Sequence, residues 1–233
     1  MCVLEDALRE GLAGLALPLD DSKIGQLLDY LALLQKWNKT YNLTAVRDPF
    51  EMLTHHLLDS LAVIAPLQRQ LAILCGALPA HGREAVTGCA ASAPLGLQLL
   101  DVGSGAGLPG VVIAICCPLL RVDCVDAVAK KAAFVRQAAL TLKLPNLRGL
   151  HARVENLTEK YGVIASRAFA SLSDFVALSS AALAEHGVWM AMKGRNPADE
   201  VAALPAQVSA FHVEQLFVPG LAAERCIVWM RKT

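Results

Sequence analysis

Two rhythms of hydrophobic positions divide this chain. Up to residue 67 the apolar side chains recur every three or four positions, and from residue 97 short apolar runs alternate with helical stretches. Ile24, Leu27, Leu28, Leu31, Leu34 and Trp37 make one stripe, which predicts an amphipathic helix. Asp48-Pro49 predicts the start of a second helix through Met52, Leu53, Leu57, Leu61 and Ile64, with Asp as cap and Pro at the first helical position. Between them, Trp37 to Thr44 holds two asparagines and no periodicity, the mark of a structured turn. Residues 68–96 are rich in Ala, Gly and Pro, without lasting periodicity, and are expected to be an insertion or linker.

The pattern after that linker predicts strands at 97–102, 121–126, 147–151, 162–166 and 187–192, with helices at 108–117, 128–142 and 173–185. A closing antiparallel pair is expected at 209–217 and 225–231. Such alternation gives an α/β fold with a mostly parallel seven-stranded sheet covered on both faces. Three units are expected: a helical N-terminal cap over 1–67, the insertion over 68–96, and an α/β domain over 97–233.

The most specific local signal is Asp101-Val102-Gly103-Ser104-Gly105-Ala106-Gly107-Leu108-Pro109, between a buried strand and a buried helix. Glycines allow a tight turn at positive φ and a close ligand approach. A dinucleotide fingerprint would place its third glycine at position 108, where Leu108 stands. The G-x-G-x-G form with an acid two places upstream resembles instead the first motif of S-adenosylmethionine-dependent methyltransferases. The second strand ends in Asp126, 23 residues after Gly103. An acid there can accept hydrogen bonds from ribose hydroxyls, and it can also cap the helix that follows. Asp123 falls on the opposite face and is given no role.

Composition narrows the classes. Apolar residues make up 55% and charged ones 18%, enough for a globular core. No run approaches a membrane span of about 20 apolar residues, and no basic signal-peptide region precedes Glu5, Asp6 and Glu10. The seven cysteines show no metal-type spacing and read as buried reduced thiols of a cytoplasmic protein, so no metal is expected. Basic and acidic side chains balance at 21 each, yet residues 121–153 carry seven bases against two acids. That segment is either a positive face for nucleic acid or ordinary solubilising surface.

The ordered set of motifs resembles the small-subunit ribosomal RNA guanine-N7 methyltransferase family, also called glucose-inhibited division protein B. It comprises Trp37-Asn38, Tyr41 to Thr44, His56-Leu57-Leu58-Asp59-Ser60, Asp101 to Gly110, Asp126, Lys130 to Phe134, Ser166-Arg167-Ala168, Lys193-Gly194 and Glu224-Arg225. The resemblance implies a Rossmann-like class I methyltransferase under a helical N-terminal cap. It implies methyl transfer from S-adenosylmethionine to N7 of one guanosine in 16S ribosomal RNA, with that RNA or the small ribosomal subunit as partner. It places cofactor contacts on Gly103, Leu108, Val154, Glu155 and Arg167, with Asp126 at the acidic strand end and Gly105 in the same turn. A monomer in the cytoplasm is expected.

N7 of guanine carries a lone pair and no proton, so no general base is required and none is assigned; Arg167 is the one candidate for catalytic positioning. Lys193 and Arg195 are candidates for RNA contact because N7 and O6 are read by basic side chains. Trp37 and Tyr41 would either stack on a base or pack in the core. His56 and Asp59 share a helical face and are expected to form a hydrogen-bonded pair. Two rival classes stand beside this reading: an NAD(P)-dependent oxidoreductase, and a non-catalytic ribosome-assembly protein with a vestigial cofactor fold.

Overall fold

The α-helical N-terminal third begins with α1 (Cys2–Gly14) and α2 (Asp21–Tyr41), as the stripe from Ile24 to Trp37 requires. This is a computed structural model, and it describes residues 2–76, 97–167, 171–195 and 197–233. Asp20 caps α2 by accepting from the Lys23 amide, and Asn42 ends it in the left-handed region at φ 49°.

The second predicted helix starts where expected, with Asp48 accepting from the Phe50 and Glu51 amides. It is not one regular helix. α3 (Pro49–Met52) runs into a π-helical turn, Leu53–Leu58, then α4 (Asp59–Leu61) and α5 (Ile64–Leu74). The expected insertion boundary at residue 68 therefore falls inside α5, because Leu71 still faces the core. The rest of that insertion, from residue 77 to 96, lies outside the described residues. Pro49–Leu74 is long and apolar enough to cross a membrane by length and composition, which the sequence reading did not anticipate. Some 67% of its apolar window is buried against the fold, as in the core helix of a globular protein.

Seven strands follow: β1 (Gln98–Val102), β2 (Arg121–Asp126), β3 (Leu147–His151), β4 (Tyr161–Arg167), β5 (Leu183–Lys193), β6 (Val208–Leu216) and β7 (Arg225–Lys232). Between them run α6 (Gly110–Cys116), α7 (Ala129–Thr141), α8 (Leu172–Ser179) and the short α9 (Ala198–Ala202). The sheet order is β3-β2-β1-β4-β5-β7-β6, parallel except for β7, which is antiparallel to both neighbours. The class I methyltransferase fold expected from the sequence is thus present, seven strands included.

One boundary differs in kind. The helix expected over 173–185 ends at Ser179, and β5 begins at Leu183 rather than 187. The Ser179 hydroxyl donates to the Phe175 carbonyl and accepts from the Trp189 indole, so the helix end is pinned to β5 by a buried side chain. Strand-local pattern carries no trace of that long-range bond.

Alternating strand residues feed two cores. Leu99, Val122, Val163 and Met190 join the cap helices, α6 and α7; Leu100, Val125, Ile164 and Trp189 join α8 on the other face. The cap is therefore one layer of a continuous core. Gln26 also donates to the Leu142 carbonyl at 2.9 Å, and Trp37 packs edge-on against Phe134.

Candidate functional site

The strand order reverses between β1 and β4, and open α/β sheets bind ligands outside the carboxyl ends of strands at that point. The glycine turn and Arg167 close β1 and β4 respectively, so the topology brings these two sequence-predicted elements together. Gly103, Gly105 and Gly107 all have positive φ (65°, 58° and 83°), which a side chain would strain. Gly110, opening α6, leaves no room for a Cβ against Cys124 Sγ and Asp101.

The turn is held from below and from above. From below, Asp126 accepts the Gly105 amide on Oδ2 (3.0 Å) and the Val128 amide on Oδ1 (2.8 Å). Asp126 thus ties the glycine turn to Val128, the residue just before α7, without capping that helix. Each of its oxygens keeps acceptor capacity for a further donor. From above, the buried Tyr30 hydroxyl of α2 donates to the Ala106 carbonyl at 2.7 Å. Sequence periodicity marks α2 as amphipathic but leaves Tyr30 off the listed stripe, so this contact was not foreseen.

Asp101 is fully buried at the end of β1. Its Oδ2 accepts the Gly110 amide at 2.8 Å, while Oδ1 is a buried acceptor with no partner among the described residues. Burial pushes its pKa up to about 7, against the lowering effects of the Gly110 amide and the Arg167 charge. Ser104 Oγ, in the turn itself, is buried and faces the Cys124 thiol. An unpaired carboxylate oxygen such as Asp101 Oδ1 is rare in a finished core, and a polar ligand is one partner that would complete it. The unpaired Asp101 oxygen and the remaining acceptor capacity of Asp126 fit an adenosine-based cofactor bearing an ammonium group.

The other expected contacts lie at or after the carboxyl ends of β1, β3 and β4. Leu108 is buried beside the turn, Val154 is buried in a 3₁₀ turn (Val154–Asn156) after β3, and Glu155 beside it is exposed. Arg167 is not an unattached surface charge. Its Nη1 donates to the His55 carbonyl and to Asp59 Oδ2, both at 3.0 Å, and Arg225 Nε donates to Asp59 Oδ1 at 2.9 Å. The expected His56–Asp59 pair is therefore overturned. Asp59 is claimed by two guanidiniums, which bind a carboxylate more strongly than a neutral imidazole does, and His56 Nε2 lies 2.7 Å from Thr44 Oγ1.

The RNA-contact candidates behave unequally. Lys193 ends β5 and pairs with Glu200 at 2.8 Å, and the same Glu200 oxygen accepts the Leu172 amide that opens α8. Arg195 is exposed, as is Tyr41, whereas Trp37 is partly buried between Tyr41 and Phe134. Among the bases of 121–153, Lys130, Arg136, Lys143 and Arg153 are exposed. Arg121 and Arg148 instead share Glu159, and Arg148 binds the fully buried Asp123 together with the Tyr161 hydroxyl. Asp123, given no role from sequence, anchors an ionic cluster on the face away from the glycine turn. Cys75 is exposed at the end of α5, a departure from the expectation of buried thiols; Cys116, Cys124 and Cys226 are buried. Among the described residues no cluster could hold a metal ion.

Comparison with known proteins gives a consistent result. A family model described as rRNA small subunit methyltransferase G matches residues 23–75 and 84–228, leaving out a short piece of the expected insertion. A protein named Ribosomal RNA small subunit methyltransferase G from Albidiferax ferrireducens is 67% identical over 230 residues, covering 99% of this chain and 98% of its own length. One of the same name from Acidovorax ebreus is 63% identical, covering 98% and 95%. Among solved structures, TrmN from Thermus thermophilus matches with a TM-score of 0.52 at 19% identity, over 78% of this chain and 53% of that one. That likeness supports the fold.

Proposed function

From the premise that the chain belongs to the rRNA small subunit methyltransferase G family, we propose that it transfers the methyl group of S-adenosylmethionine to N7 of a guanosine in 16S ribosomal RNA. The observation that carries the reading is the join at the sheet's switch point of a three-glycine turn, Asp126 below it and the orphan oxygen of Asp101 beside it. The bound cofactor supplies a methyl group on a positively charged sulfur. An NAD(P) enzyme would need its third fingerprint glycine, the one that lets helix and strand pack closely, where Leu108 stands.

In this reading Asp126 accepts from the ribose hydroxyls, Val154 and Glu155 border the adenine, and Asp101 receives the ammonium group. Arg167 aligns the cofactor's methionine end against the base. The protein takes no proton from the nucleophile, because N7 presents a lone pair. Its contribution is alignment, worth several kcal/mol and bounded by the ~7–11 kcal/mol of ideal intramolecular systems. Lys193 and Arg195, at the end of β5, stand on the same sheet edge and would contact the RNA, with Tyr41 as a stacking surface. Action as a monomer is part of this proposal, and the ribosomal substrate supports action in the cytoplasm. The test is to map 7-methylguanosine in 16S RNA from cells with and without the gene. Loss of one such nucleotide supports the reading, and an unchanged map refutes it.

A further inference from the structure

Asp59 has only 4% of its side chain exposed, at the start of α4 in the cap. A carboxylate held that far from water needs charged partners. It has two, each taking one oxygen: Arg167, 108 residues away at the end of β4, and Arg225, 166 residues away at the start of β7. Arg167 Nη1 is also bonded to the His55 carbonyl, which lies in the π-helical turn just before Asp59. A π turn shifts carbonyls out of the regular ladder, and such turns recur at functional sites. Two acceptors from one cap segment therefore fix a single nitrogen of Arg167. Nε and Nη2 are left without a recorded partner among the described residues, and the Arg167 charge is felt by Asp101 beside the glycine turn.

Building on the placement of Arg167 at the cofactor, we propose that Asp59 is a positioning residue for methyl transfer: it acts through Arg167 and couples the helical cap to the crevice. Arg225 completes the device by taking the second carboxylate oxygen, so that Asp59 cannot rotate away. The cap's role is then to set the orientation of one guanidinium, in addition to covering the sheet. A merely structural ion pair would stabilise the fold without any effect of Asp59 on ligand affinity that depends on Arg167.

The test is a double-mutant cycle between Asp59→Asn and Arg167→Ala in the full chain, read by calorimetric titration of S-adenosylhomocysteine and by thermal melting. Asp59→Asn alone is expected to weaken binding about tenfold, the equivalent of one charge-assisted hydrogen bond out of register. In the Arg167→Ala background the same substitution should add less than about twofold, within ordinary additivity error. If Arg167→Ala does not melt cooperatively, Arg167→Lys replaces it, since Lys keeps the charge and loses the fork. Equal losses in both backgrounds, or no loss in the native background, overturn the relay while leaving Arg167 at the cofactor. Unchanged affinity in Arg167→Ala itself overturns the placement of Arg167, and the relay with it.

Discussion

The Tyr30 hydroxyl, buried in the second helix of the cap, donates to the carbonyl of Ala106 in the middle of the glycine turn at 2.7 Å. One side chain thereby makes the cofactor loop depend on a helix more than seventy positions earlier. Tyr30→Phe keeps the ring against Phe134 and leaves the carbonyl without its donor. The expected cost is about 1–3 kcal/mol, the penalty of a buried acceptor left unsatisfied. Urea unfolding checks the stability, and titration with S-adenosylhomocysteine should show weaker binding. A variant as stable as the native protein would mean that the turn holds its shape without the cap.

Asp126→Ala should lower affinity for S-adenosylmethionine by about 1.5–3 kcal/mol through the lost ribose contact. Because Asp126 also accepts the Gly105 and Val128 amides, melting should fall as well. Calorimetry on the folded variant separates the two effects. Unchanged affinity would remove Asp126 from the cofactor site and leave it as a brace of the turn alone.

His56 is 8% exposed, and burial, reinforced by the Arg167 charge, pushes its pKa down to about 4. In the unfolded chain a histidine titrates near 6.5. Between these values the unfolded state binds more protons, so stability is full above about pH 6.5 and falls as pH drops towards 4. Asp101 works in the opposite direction: its raised pKa makes stability fall as pH rises from about 3.8 towards 7. Comparing the native protein with His56→Gln cancels the Asp101 effect. The native protein should lose up to about 3 kcal/mol more than the variant between pH 7 and pH 4. Parallel pH profiles would show that His56 titrates normally.

Asp101 with a pKa of about 7 is partly protonated at neutral pH. The ligand's ammonium group favours the ionised form, so binding of S-adenosylhomocysteine should release protons below about pH 7 and tighten as pH rises towards that value. Titration in two buffers of different ionisation enthalpy detects the release. Asp101→Asn should abolish it. The same proton release in that variant would place its source elsewhere.

Local signals made much of this site readable from the chain alone. The glycine turn needs three consecutive-but-one residues at positive φ, and Asp126 sits at a strand end that period and spacing both mark. The sheet was readable for the same reason, since β-branched and apolar runs between helical stretches fix each strand. What could not be read depends on contacts made across the fold. Asp59 looked like a partner for His56 because both share a helical face, and the two arginines that claim it lie more than a hundred residues on. The π turn at Leu53–Leu58 leaves an apolar pattern that a regular helix would also leave. The early end of α8 is set by Trp189 reaching Ser179, a bond that no window around Ser179 contains.

The most direct measurement is single-turnover methylation of unmodified 16S ribosomal RNA by the purified protein, using S-adenosylmethionine with a labelled methyl group and nucleoside analysis of the product. All of the label should appear as 7-methylguanosine. The rate should fall on the order of a hundredfold in a folded Arg167→Lys variant, through lost alignment of the reacting atoms. Label at another base or atom, or a native rate in that variant, would contradict the assignment of this crevice as the site of transfer.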